Sequence, residues 1–98
     1  MIKYMEEIPE FYLEGEDAAS IHNNIEFHSR VVSLISSYIN GTSDITTLCY
    51  IYTIHGDVMT AELPPESFEQ TIQKSLEFFI ESEDYEMCNT IKNLIKKI

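Results

Sequence analysis

Apolar positions between residues 17 and 40 recur at helical spacing. Ile21, Ile25, His28, Val32, Ile35 and Ile39 follow one another at intervals of four, three, four, three and four, which keeps them on one stripe of a helix. Phe27, Val31, Leu34 and Tyr38 form a second stripe beside it. Asp17 is placed to cap the N-terminus of this helix, and Gly41 after Asn40 is placed to stop it. A helix apolar on two adjacent stripes is either the central helix of its domain or part of an oligomer interface.

Over residues 46–63 the period changes. Thr46 to Ile54 is rich in β-branched and aromatic residues, His55-Gly56-Asp57 interrupts it, and Val58 to Leu63 resumes it before Pro64-Pro65. Gly56-Asp57 read as a two-residue type II′ loop gives a β-hairpin. In that register Ile54 faces Met59, Tyr52 faces Ala61 and Tyr50 faces Leu63, an apolar face to set against helices. His55 with Val58, Thr53 with Thr60 and Ile51 with Glu62 make the mixed face. A lone ribbon is marginal, so it must lie on helices, gain a strand from residues 1–13, or pair across a dimer. Residues 1–15, interrupted by Pro9 and closed by Gly15, predict a short extended segment or a single helical turn.

Helical spacing returns after Pro64-Pro65, with Pro65 suited to the first helical position and Glu66 and Glu69 near the positive helix end. Phe68, Ile72, Leu76 and Phe79 form the inner stripe. The pattern breaks at Ser82–Asp84, where Asp84 can cap a further helix carrying Tyr85, Cys88, Ile91, Leu94 or Ile95, and Ile98 inward. The resulting expectation is an α+β fold in one domain over residues 1–98. It has a long N-terminal helix (17–40), one β-hairpin (46–63) and a C-terminal two-helix hairpin (65–82 and 84–98).

Glu83-Asp84-Tyr85-Glu86, then Cys88, Ile91-Lys92, Ile95 and Ile98, resembles the short helical-hairpin interaction motif of UvrB and UvrC. Tyr85 takes the aromatic position, Cys88 a small-residue position and Ile91-Lys92 the aliphatic-basic pair. Asn89 departs from the second small residue, Asn93 stands where an acid is expected, and Phe78-Phe79 replaces small residues in the preceding helix. The match covers about a quarter of the chain, residues 76–98, and a similar Asp-Tyr-Glu turn occurs in tetratricopeptide-type hairpins. The resemblance implies a helical hairpin of the kind used for protein–protein contact; it does not imply a repair function.

Charge changes the picture more than composition does. Seventeen acids against six bases leave the 98 residues at −11. Residues 1–73 hold twelve acids and only Lys3 and Arg30, while Lys92, Lys96 and Lys97 stand beyond the last acid, Glu86. Such a field repels phosphate, which disfavours direct nucleic-acid and anionic-membrane binding. It suits a partner with a basic surface, or serves solubility alone. The acids are not spread at the phosphate-like spacing that a DNA mimic needs. No stretch approaches the ~20 apolar residues of a membrane span, and the N-terminal run carries acids foreign to a signal peptide. A soluble cytoplasmic protein is therefore expected.

Candidate chemistry is sparse. His22 and Glu26 are four apart, but His28 lies about 100° or more around the helix from His22, poor geometry for the converging ligands of a metal. Cys49 with His55 or His28 lacks the positive surroundings that activate a thiol, and Cys49 and Cys88 both fall in core-like stretches. The runs Glu6-Glu7-Glu10 and Glu81-Glu83-Asp84-Glu86 lack the spaced oxygens and glycine of a calcium loop. No enzyme, cofactor or metal is expected. The expected function is that of a small acidic interaction or regulatory protein, of the kind bacteriophages encode to inhibit a host factor. Tyr4, Glu6, Glu7, Glu10, Tyr12, Phe78, Glu81, Glu83, Asp84 and Glu86 are its candidate partner-binding residues, and a homodimer is compatible with it. The alternative is an oligomer that binds a small ligand such as a nucleotide between subunits.

Overall fold

The computed structural model describes residues 8–13, 21 and 23–98. The expected Asp17 cap, His22, and Tyr4, Glu6 and Glu7 lie outside the described residues. The fold is α+β. Strand β1 (Glu10–Tyr12), helix α1 (Ile25–Ile39), strands β2 (Thr47–Tyr52) and β3 (Val58–Glu62), a short 3-10 turn (Pro65–Ser67), and helices α2 (Phe68–Glu81) and α3 (Tyr85–Ile95) follow in order.

Helix α1 is shorter than its apolar periodicity suggests. Asn24 is its cap: the side-chain oxygen accepts from the Glu26 N–H at 2.7 Å, while Asn24 N–H donates to Ile21 O in a tighter turn before it. Ile21 therefore belongs to the lead-in, and Ile25 on the first turn is 55% exposed. The rest of both stripes is used. Arg30 on α1 donates to Leu48 and Thr47 carbonyls of β2, whereas His28 bonds Ser75 of α2 and Tyr38 packs edge-on to Phe68. Residues 28 and 30 are about 200° apart around a helix, so α1 is packed between the sheet and the α2–α3 pair. Double striping here marks a central helix.

The sheet is mixed, not a lone hairpin: the order is β1-β2-β3, with β1 parallel and β3 antiparallel to β2. The β2–β3 register differs from the expected one. Tyr52 pairs Val58, Ile51 pairs Met59, Tyr50 pairs Thr60 and Cys49 pairs Ala61. The loop has three residues, because Gly56 N–H donates to Thr53 O, Thr53 N–H donates to Asp57 O, and Gly56 sits at φ +87°. That is a turn followed by a left-handed residue, and the Thr53 hydroxyl holds it by accepting from the His55 and Asp57 amides. A shift by an odd number of residues exchanges the two faces. Tyr50 and Tyr52 thus turn away from the helices, while Cys49, Ile51 and Ala61 pack on the core with Phe11. A bulge between Thr47 and Cys49 leaves the consecutive Leu48 and Cys49 both buried.

In the C-terminal pair, Phe68, Ile72, Ser75 and Phe79 of α2 are buried, as are Cys88, Ile91 and Leu94 of α3. Tyr85 and Ile98, expected inward, are 66% and 47% exposed. Both α1 and α2 end in the same six-residue motif. Thr42 N–H bonds Ser37 O with Gly41 at φ +76°, and Asp84 N–H bonds Phe79 O with Glu83 at φ +59°. At Glu83 a side-chain-bearing residue occupies the left-handed position that glycine fills in α1. Glu83→Gly is therefore expected to raise stability by about 1 kcal/mol, read as a higher urea midpoint at an unchanged slope. An unchanged or lower midpoint would show the turn to be unstrained.

Candidate functional site

The outer face of the sheet carries the most distinctive chemistry among the described residues. The parallel register sets Tyr12 beside Tyr52 and Glu10 beside Tyr50. The Tyr12 and Tyr52 rings stack at 4.8 Å with an 18° tilt. Both hydroxyls donate to the Glu10 carboxylate, Tyr52 at 3.0 Å and Tyr12 at 3.3 Å. One carboxylate thus pins a pair of aromatic rings in place. Tyr12 is 68% exposed and Val58, across from Tyr52, is 55% exposed. The result is a preorganised aromatic surface with a negative charge at its edge.

The Glu10 carboxylate raises both phenol pKa values above the ordinary 10.0. For Tyr52 its hydrogen bond is the larger cause and its charge the next; for Tyr12 its charge comes first. A raised phenol favours the folded state while it keeps its proton. That contribution is fully present below pH 10 and is lost as pH rises through the folded value. Glu10→Gln is expected to bring both phenols back toward the ordinary range in an ultraviolet phenolate titration. Unchanged midpoints would show that the carboxylate does not hold them.

An open cleft of about 800 Å³ runs between β1 and α1, with Ile8, Glu10 and Tyr12 on one side and Ile25, Glu26 and Ser29 on the other. Arg30 lines it too, with its guanidinium committed to the carbonyls of Leu48 (2.9 Å) and Thr47 (2.7 Å).

The described members of the expected site fall into two groups. Glu10 and Tyr12 lie on β1. Phe78, Glu81, Glu83, Asp84 and Glu86 lie at the end of α2 and the start of α3. Phe78, a candidate partner-binding residue, is half-buried, stacked on His28 at 4.3 Å and edge-on to Phe79. Asp84 caps α3 by accepting from Met87 N–H at 3.2 Å, and Glu83 occupies the left-handed turn position. Glu81 and Glu86 are exposed. Tyr50 and Tyr52 are the residues that sequence reasoning missed. The signal for them was Thr53 with Gly56 at the third loop position, which selects the three-residue loop and turns both rings outward.

His28 is a core residue, buried, bonded through Nδ1 to the Ser75 hydroxyl at 2.9 Å and set among Phe27, Phe78 and Phe79. Burial pushes the Cys49 thiol up, with the Arg30 guanidinium pulling the other way, the opposite of an activated nucleophile. Cys49 and Cys88 are both free and buried. Among the described residues no helix is long and apolar enough to cross a membrane, and no group of three His, Cys, Asp or Glu side chains is arranged to hold a metal ion. No protein-family model, curated protein or solved structure matches the chain.

Proposed function

We propose that this protein binds another protein with a basic surface through the outer face of its sheet. The observation that carries the reading is the Tyr12–Tyr52 stack held by Glu10 and left open to solvent. Stacked, hydrogen-bonded tyrosines have little side-chain freedom left to lose, which suits them as interface anchors. A carboxylate beside aromatic faces attracts a guanidinium or ammonium by charge and by the ring quadrupole together. The net charge of −11 extends that preference to long range. A nucleotide draws less support, since Glu10 and Glu26 line the cleft beside this face and repel phosphate.

The test is affinity capture from cells followed by titration of the purified partner. Each tyrosine acting as an anchor contributes about 2 kcal/mol. The Tyr12→Ala/Tyr52→Ala double variant is thus expected to bind at least about 100-fold more weakly with its circular dichroism unchanged. Wild-type binding should weaken steadily between about 50 and 300 mM salt. A partner that binds the double variant as tightly as wild type would overturn the reading.

A further inference from the structure

We infer that the cleft between β1 and α1 is a docking groove for an extended, lysine- or arginine-bearing segment of the partner, which adds to the sheet as a fourth strand beside β1. This deepens the partner-binding reading above and rests on it. Three observations lead to it.

The first is the backbone of β1. Tyr50 N–H donates to Pro9 O at 3.0 Å and Leu13 N–H donates to Tyr52 O at 2.9 Å. In a parallel ladder the pairing side alternates along the strand, so Pro9, Phe11 and Leu13 address β2 while Glu10 and Tyr12 turn their N–H and C=O groups toward the cleft. No backbone hydrogen bond joins those four groups to another described residue. They are a row of donors and acceptors of the kind an added strand satisfies.

The second is the shape of what stands opposite. An added strand lies about 4.8 Å from its neighbour, with side chains alternating between faces. On the inner side such a strand meets Ile25, which is 55% exposed on the first turn of α1. On the outer side its residues come level with Glu10 and Tyr12, next to the tyrosine stack. The groove therefore asks for apolar residues alternating with cations. At the opposite edge of the sheet, β3 makes its main contacts among the described elements with β2.

The third is charge. Two acids, Glu10 and Glu26, line the groove with one base, Arg30, whose guanidinium is turned to the carbonyls of Leu48 and Thr47. Along the chain, residues 1–17 hold six acids against Lys3 alone. A second copy of the chain would bring a further −11 to this edge, whereas a cationic segment is drawn to it.

The probe is an acetylated, amidated heptapeptide of alternating lysine and valine, titrated into the isotope-labelled full chain at low salt. Binding is expected to shift the Glu10 and Tyr12 amides and the Ile25 methyls, and to slow solvent exchange of those amides at least tenfold. Peptides N-methylated at the lysines or at the valines should part company. One loses at least tenfold in affinity because its bonding amides are blocked, the other is close to the parent, and which one fails reports the strand direction. Ile25→Arg, at an exposed helical position, should weaken the parent peptide at least tenfold with an unchanged thermal midpoint.

If both N-methylated peptides bind like the parent, the strand is not added and the inference is overturned. It is overturned too if the shifts fall on Val58–Glu62 or on the α2–α3 turn while the peptide binds, an outcome that leaves the partner reading standing. A doubled mass with protected Glu10 and Tyr12 amides in the absence of peptide would give the edge to a second copy and overturn it. Failure of the chain to bind the parent peptide at low salt would overturn the inference. The tyrosine double variant with the captured partner then judges the partner reading separately.

Discussion

Phe79→Ala is expected to destabilise the protein by about 3–5 kcal/mol, a large share of the roughly 5–15 kcal/mol that holds a domain folded. Phe79 has no solvent exposure. Its ring lies edge-on to Phe78 at 5.2 Å and to His28 at 6.3 Å, at the junction of α2 with the central helix. Truncation removes the largest fully buried side chain of the core and undermines the packing of the neighbours that position His28 for its bond to Ser75. Collapse into the void is resisted because α1 is held from the other side by β2. With a slope of about 1–3 kcal/mol per molar urea, the midpoint should fall by about 2 M. Phe78→Ala removes a half-buried ring and is expected to cost clearly less. A loss below about 1 kcal/mol at Phe79 would show that the junction is loosely packed.

The same residues show how far the sequence alone reaches. The inner stripe Phe68, Ile72 and Phe79, the cap at Asp84 and the stop at Gly41 were legible because each is a local signal, carried by helical spacing or by the chemistry of one terminus. The start of α1 was not: apolar residues keep helical spacing back to Ile21, and only the Asn24 side chain separates the helix from its lead-in. The sheet shows the limit more sharply. Choosing between a loop of two residues and one of three decided which way Tyr50 and Tyr52 point, and both registers left an apolar face. Tyrosine suits either environment, since its ring packs and its hydroxyl hydrates, so patterning could not arbitrate. The third strand needed a parallel pairing between Phe11 and Ile51, forty residues apart, for which a three-residue strand gives no periodicity. The aromatic face depends on both of these, and so only its β1 members, Glu10 and Tyr12, were expected as candidates.

Arg30 was among the residues that the sequence did not single out for a role, and its replacement carries the second large expected effect. It is buried, with 6% of its surface exposed, in a chain whose first 73 residues contain one other base, Lys3. The reason lies in β2. The parallel pairing with β1 begins at Tyr50, so Leu48 extends beyond the end of β1, and the bulge at Thr47–Cys49 interrupts the ladder on the β3 side. The carbonyls of Leu48 and Thr47 would be stranded there, and the fork of one guanidinium reaches both, Nε at 2.9 Å and Nη2 at 2.7 Å. A hydrogen bond to a charged donor contributes about 1.5–3 kcal/mol, and a buried acceptor left unpaired costs about 1–3 kcal/mol. Relief from burying the charge offsets part of this, so Arg30→Met is expected to lose about 3 kcal/mol. Arg30→Lys should lose most of that as well, since a single ammonium on a flexible stem does not reproduce the planar fork. Urea midpoints measure both losses. Amide exchange at Cys49 and Tyr50 should quicken in both variants while exchange in α3 follows global stability. If Arg30→Lys keeps its stability within about 0.5 kcal/mol of the parent, charge alone holds the bulge and the fork geometry is not what ties α1 to the sheet.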